Sequence, residues 1–300
     1  MRVASTATVL AVEWVLLGLC LALIVARLHL RLFLQHKQLI LSDYLICLAW
    51  LSGTWQAAAD IAVMRLGFLK ASTTWFDPQT DTNNLSSIQK VVFMAWIPLL
   101  LTQYLNKFAL LTFLFNIIPT QIRSFYLLLW TVTIFSGLSY IASILTLFLI
   151  CVPIRGNRSN FWFCGIQKQL NFFTITWVLH FASDIMIFIL PLFIFRTLHL
   201  DWKKKLGLYA TFGFGLVSIS AALVRFIVVF QTFPSVHTTT LELWCAIDSY
   251  VGTMAACLPS LRPYLNLENF TTRQVHNARN AVIGSCSHPS SMPIPGGNSV

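Results

Sequence analysis

Charge is what this sequence has least of. Charged residues fill 10% of its 300 positions, whereas a soluble domain carries about 25%. That deficit, set beside 57% apolar residues, excludes an ordinary water-soluble domain. There is no glycine-rich phosphate loop, no spaced Cys/His set for zinc and no internal repeat. Nucleotide cradles, zinc fingers and solenoids therefore have no motif here. The net charge of +10 does not signal nucleic-acid binding. Its basic residues sit beside apolar runs, the usual pattern for loops that face anionic lipid heads. Lipid is the expected partner, and nucleic acid is not.

What the chain has in abundance is long apolar sequence. Seven runs stand at 7–26, 41–64, 91–118, 124–150, 170–195, 206–230 and 241–261. A helix rising about 1.5 Å per residue needs roughly 20 residues to cross about 30 Å of hydrocarbon. The expected fold class is all-α, a seven-transmembrane helix bundle occupying residues 1–263. Residues 264–300 are rich in Ser, Pro, Gly and Asn and read as a disordered cytoplasmic tail. The first run has a competing reading as a signal peptide ending at Ala26. Against it, the run exceeds the usual 7–15 apolar residues, and Glu13 interrupts it.

Lysine and arginine set the expected orientation. Eleven fall on one side, among them Arg27, Arg31, Arg123 and Lys203 to Lys205, and seven on the other. That imbalance places the N-terminus outside and the C-terminus inside. The sequons at Asn84 and Asn157 then lie in outer loops as glycosylation candidates. Cys151 and Cys164 flank the outer loop after the fourth run and are the disulfide candidates. These features imply the secretory route, with the plasma membrane as the expected destination. Cys20, Cys47, Cys245 and Cys257 read as small apolar fillers.

A charge at the bilayer centre costs about 2.5–3.5 kcal/mol on insertion scales, so the few inside the runs are usually paired or functional. Counted from the outer ends, Glu13, Asp60, Arg225 and Asp248 fall about 6–10 Å deep, with Glu242 at the edge. Lys107 and Asp184 fall about 21–24 Å deep, and Asp43 lies near the inner end of the second run. Matching depths predict two ion pairs, Arg225–Asp248 and Lys107–Asp184. The acid excess of the outer layer fits a pocket for a cation, a proton or an amine. The blander reading has Glu13, Asp60 and Glu242 reaching interface water. His180 and Asp184, four apart, share a helix face and could act as a proton relay, although the bland reading of His180 is a satisfied core histidine. No third ligand stands at their depth, so neither a metal nor any other cofactor is expected.

These residues resemble the fungal rhodopsin-like integral membrane family, seven-span proteins that include the appressorium receptor-like proteins. Arg27, Arg31 and Ser42-Asp43-Tyr44 are similar to its spaced arginines followed by Asp-Asp-Tyr, with Ser42 in place of the first Asp. Lys107 matches a lysine of the third span. Cys151-Val152-Pro153, Trp162 and Cys164 match an outer-loop pattern. Asn171, Asp184 and Pro191 match the fifth span, and Lys203 to Lys205 the loop after it. Gly213 or Gly215 with Arg225 match the sixth span, and Trp244, Asp248, Pro259 and Leu261-Arg262-Pro263 the end. The family usually has Glu at the position of Asp248, and its Gly-x-Gly-x-His motif is reduced here to Gly67. The family name implies light sensing, but a retinal Schiff base needs a buried lysine in the last span, and residues 241–261 contain none.

The resemblance implies a receptor-like protein that is not light-sensing. A small-molecule ligand would bind from outside near Glu13, Arg225 and Asp248 and shift helices toward a cytoplasmic signalling partner at residues 196–205. Relatives that lie beside biosynthetic genes imply a second reading, an accessory membrane protein of a fungal specialised-metabolite pathway. An intramembrane enzyme using Asp248, Asp184 or Glu13 as acid and a transporter are further alternatives. No catalytic motif is present, so the chain is expected not to be an enzyme.

Overall fold

In lipid, each backbone N–H and C=O must be satisfied within the protein, and apolar runs of this length close into helices. The computed structural model describes residues 5–34, 38–66, 85–117, 123–150, 166–197, 202–233 and 235–261. Among them are seven α-helices: α1 Thr6–His29, α2 Leu41–Arg65, α3 Leu85–Ile117, α4 Arg123–Ile150, α5 Ile166–Thr197, α6 Trp202–Thr232 and α7 Thr238–Leu261. The sequons at Asn84 and Asn157, the pair Cys151 and Cys164, and the tail 264–300 lie outside the described residues.

Six segments are long and apolar enough to cross a membrane: Thr6–Phe33, Leu41–Arg65, Val91–Asn116, Tyr126–Leu149, Lys168–Leu190 and Gly215–Thr232. The remaining helix, α7, has 24 residues, which is length enough, but its composition is too polar. It buries Thr238, Thr239, Asp248, Ser249 and Thr253. Its surroundings explain that composition, because α7 packs against α1, α2, α3 and α6. Polar side chains there meet neighbouring helices, where they bond across the interface.

Consecutive helices are neighbours around the bundle, α7 closes onto α1, and α3 also touches α5 and α7. The surface inverts the soluble pattern. Leu138 on α4 is 61% exposed while Glu13 on α1 is 0% exposed. Leu127, Ile134, Leu138, Ile141 and Leu145 form an apolar outer stripe on α4. An apolar exterior around charged interior residues belongs to a multi-pass membrane protein.

Two local features fix how the helices meet. Pro98 sits inside α3, where its ring removes a helix hydrogen bond, and Ser52 Oγ of α2 donates to the Pro98 carbonyl at 2.9 Å. Gly53 lets α2 approach α7, since a Cβ there would stand 3.0 Å from Tyr250 Cε1. At the far end, α1 runs past the expected boundary at residue 26 to His29 and continues as a π-helical turn, Leu30–Leu34. Arg27 and Arg31 are therefore not loop charges. They are buried.

Candidate functional site

Three charged clusters occupy the bundle interior. The first joins α3, α5, α6 and α7. The ammonium of Lys107 on α3 spends all three hydrogens on α5: it lies 2.6 Å from the His180 carbonyl, 2.6 Å from Ser183 Oγ and 3.2 Å from Asp184 Oδ1. Asp184 Oδ2 is 3.1 Å from His180 Nε2. The same Nε2 is 3.3 Å from Asp248 Oδ2 on α7. Arg225 NH1 on α6 approaches Asp248 Oδ2 at 3.4 Å, and Gln103 Nε2 on α3 donates to it at 3.1 Å. The Tyr104 ring lies beside both the Lys107 ammonium and the His180 imidazole.

The two expected pairs, Lys107–Asp184 and Arg225–Asp248, are thus in contact, but they do not form separate layers. His180, buried in the core, stands between them with its Nε2 near both carboxylates. Two cations and two carboxylates balance in charge. His180 Nε2 carries at most one hydrogen and faces two carboxylates, so it can serve only one of them at a time. Its distances to the two carboxylates, 3.1 and 3.3 Å, are nearly equal.

The second cluster ties α1, α2, α3 and α7 near the C-terminal end of α1. Arg27 Nε meets Asp43 Oδ1 at 2.7 Å, its NH1 donates to the Ala256 carbonyl at 2.8 Å, and its NH2 donates to Ser42 Oγ at 2.9 Å. Ser42 Oγ donates onward to the Ala109 carbonyl at 2.9 Å. Arg31 NH1 takes Asp43 Oδ2 at 2.6 Å, and that oxygen also accepts the Ile40 N–H at 3.0 Å, closing the first turn of α2. Every group in this knot has a partner, which suits a structural clamp.

The third cluster lies at the opposite end of α2. Glu13 of α1 and Asp60 of α2 lie close together. Two carboxyls side by side favour sharing a proton over carrying two charges. Tyr250 of α7 has its hydroxyl 3.3 Å from Glu13 Oε1 and 3.1 Å from the Gly53 carbonyl, and one hydrogen cannot satisfy both. Glu13 and Asp60 are buried, so neither reaches interface water. The Glu13 carboxylate meets the Tyr250 hydroxyl. It belongs to this acidic cluster, and Asp60 lines a narrow cavity shared with Glu242 of α7.

Comparison with known proteins settles the family. The fungal rhodopsin domain matches residues 26–267. The chain belongs to the fungal rhodopsin domain family. A curated protein of Gibberella zeae (strain PH-1), Fugralins biosynthesis cluster protein 2, is 28% identical to it over 104 residues, which is 33% of this chain and 26% of that protein. The chain therefore spans about a quarter of the length of that relative. No solved structure matches.

The buried charged positions among those that carry the family resemblance sort into the first two clusters. Arg27, Arg31 and Asp43 form the knot, and Lys107, Asp184, Arg225 and Asp248 form the network. The acidic cluster contains none of them. Several participants were not singled out from sequence: Gln56, Gln103, Ser183, Tyr250 and the burial of Arg27. A signal for some of them was present. Gln56 and Asp60, Gln103 and Lys107, and His180 and Asp184 are each four residues apart inside an apolar run, and that spacing puts both members on one helix face.

Proposed function

We propose that this member of the family is a receptor-like seven-transmembrane protein, with its N-terminus outside, its C-terminus inside and no light-sensing role. The observation that carries the reading is the His180 bridge between two buried ion pairs on four helices. A ligand that favours one of its two hydrogen-bonding arrangements would shift α5, α6 and α7 relative to α3, and a ligand moves such an equilibrium only by its differential affinity for the two states. Residues 196–205, which link α5 to α6, are the proposed contact for a cytoplasmic signalling partner. The plasma membrane is the proposed location, with Asn84 and Asn157 glycosylated and Cys151 bonded to Cys164 in outer loops.

Retinal does not fit this interior. Lys107 is the one lysine among the buried residues of the described helices, and its ammonium is saturated by α5. A Schiff-base nitrogen would have to give up those bonds. In this reading the chain is not an enzyme. Among the described residues, Asp43, Asp184 and Asp248 are tied to cations, and Asp60 lines only a narrow cavity.

A second reading is favoured by the relative's name. A protein of a biosynthesis cluster supports an accessory membrane role in a specialised-metabolite pathway. Untargeted metabolite profiling of a deletion strain and an Asp248→Asn strain against their parent separates the two. Loss of a defined product, or build-up of its precursor, overturns the receptor reading. An unchanged profile in both strains, with guanine-nucleotide exchange responding to an added compound in the parent alone, supports it.

A further inference from the structure

The narrow cavity between α2, α3 and α7 has an unmet requirement that the receptor reading does not use. Its volume, about 10 Å³, is lined by Gln56 and Asp60 of α2, Trp96 and Leu99 of α3, and Glu242 and Cys245 of α7. The space is thin and admits only water-sized guests. Its polar groups are oxygen-rich. Asp60 and Glu242 supply carboxyls. Gln56 is 2% exposed, and its Oε1 has no hydrogen-bond partner. A buried amide oxygen left without a donor is costly, and that cost must be offset by something that the cavity holds.

The charges decide what that guest is. Two carboxyls, Asp60 and Glu242, line the cavity, Glu13 lies close to Asp60, and the base nearest them, Arg225, is already engaged by Asp248. The cavity is therefore short of positive charge. An organic amine is too large for it. A transition metal wants three or more His, Cys, Asp or Glu ligands, and no such group occurs among the described residues. Carboxylate and amide oxygens around a water-sized space suit a small hard cation. Glu242 is only half-buried, which leaves a way in from the end of the bundle.

We propose that Gln56 Oε1, Asp60 and Glu242 form a binding site for a small monovalent cation of about the size of Na+. The cation supplies the charge that the three acids lack and gives the Gln56 oxygen its partner. It joins α2 to α7 across the cavity, next to Cys245, which Arg225 of the His180 network also contacts. The site does not rest on the receptor reading, and its test needs no ligand for that receptor.

The test uses the full-length chain in lipid nanodiscs, with NaCl exchanged for N-methyl-D-glucamine chloride at constant ionic strength. The expected result is a thermal midpoint that rises by a few degrees and saturates with Na+. Gln56→Leu, Asp60→Asn and Glu242→Gln should each abolish the rise while leaving the midpoint in N-methyl-D-glucamine near that of the parent. Saturable 22Na+ binding to the parent protein provides a readout that does not depend on any variant folding. Identical midpoints in the two salts with no saturable 22Na+ binding would overturn the proposal, leaving protons as the only guests of the acids. A rise that persists in both Gln56→Leu and Glu242→Gln would overturn it as well, since the cation would then bind elsewhere.

Discussion

Helix α2 carries one acid near each end, and the two have opposite surroundings. Asp43 meets two guanidinium groups and the Ile40 N–H, so both of its oxygens are bound by donors. Asp60 meets Glu13 and shares a cavity with Glu242. Both are buried, and both lie in an apolar run, so hydropathy treats them alike. Their partners separate them. An acid matched by cations fixes helix positions, while an acid matched by acids must take up a proton or a cation from outside the fold. The contrast predicts large losses of stability at one end of α2 and almost none at the other.

Asp43→Ala should be the most damaging substitution. It strands Arg27 and Arg31 in the interior, and breaking a buried pair by removing one partner costs about 3–5 kcal/mol. The expected outcome is loss of the monodisperse peak in fluorescence-detected size exclusion. Arg31→Gln should do less harm than Arg27→Gln, because Arg27 also holds the Ala256 carbonyl and Ser42.

The central network comes next. Lys107→Met removes three donors from α5 and should cost about 1.5–3 kcal/mol, read as a lower thermal midpoint and reduced surface expression. Exchanging the charges, Lys107→Asp with Asp184→Lys, should restore part of that loss, because the 3.2 Å contact is re-formed with reversed sign. If the double variant is no better than Lys107→Met, the contact carries little of the coupling between α3 and α5.

These two predictions also mark what the sequence made legible. Seven helices, the multi-pass class and the two ion pairs could be read from run length and from depth along each run. Depth says nothing of rotation about a helix axis. For that reason the two pairs were expected as separate layers, and the imidazole that joins them was not placed between them. Arg27 and Arg31 were misread for a different reason. Hydropathy ends α1 at the first arginine, whereas the helix continues because Asp43, Ser42 Oγ and the Ala256 carbonyl together satisfy the buried Arg27 guanidinium. The acidic cluster was legible as an excess of acid, but not as buried, because a carboxyl close to the end of an apolar run usually finds water.

A smaller effect tests the closeness of α2 and α7. Gly53→Ala places a methyl group 3.0 Å from the Tyr250 ring edge. Tyr250 is buried and held by its hydroxyl at Gly53 and Glu13, so it cannot swing aside without losing those bonds. Over-packing of this kind costs about 1–2 kcal/mol, and the thermal midpoint should fall accordingly. Adding Tyr250→Phe to Gly53→Ala should recover little of it, because the ring edge is what collides.

The smallest effect is expected at Asp60, and its smallness is the informative part. Asp60→Asn keeps the shape of the side chain and replaces a carboxyl that has only another carboxyl beside it. The new amide can donate to Glu13, whose Oε2 has no donor, so the pair no longer needs a shared proton. Measured without Na+, the stability of Asp60→Asn should lie within about 0.5 kcal/mol of the parent or slightly above it, since replacing a poorly matched polar contact with a matched one is close to neutral. Asp43→Asn makes the same change at the other end of α2. It should nevertheless be destabilising, because an amide cannot neutralise the two guanidinium groups that Asp43 holds. If the two Asn variants lost stability equally, the two ends of α2 would be electrostatically equivalent, and the acidic end would need a permanent cationic partner within the protein.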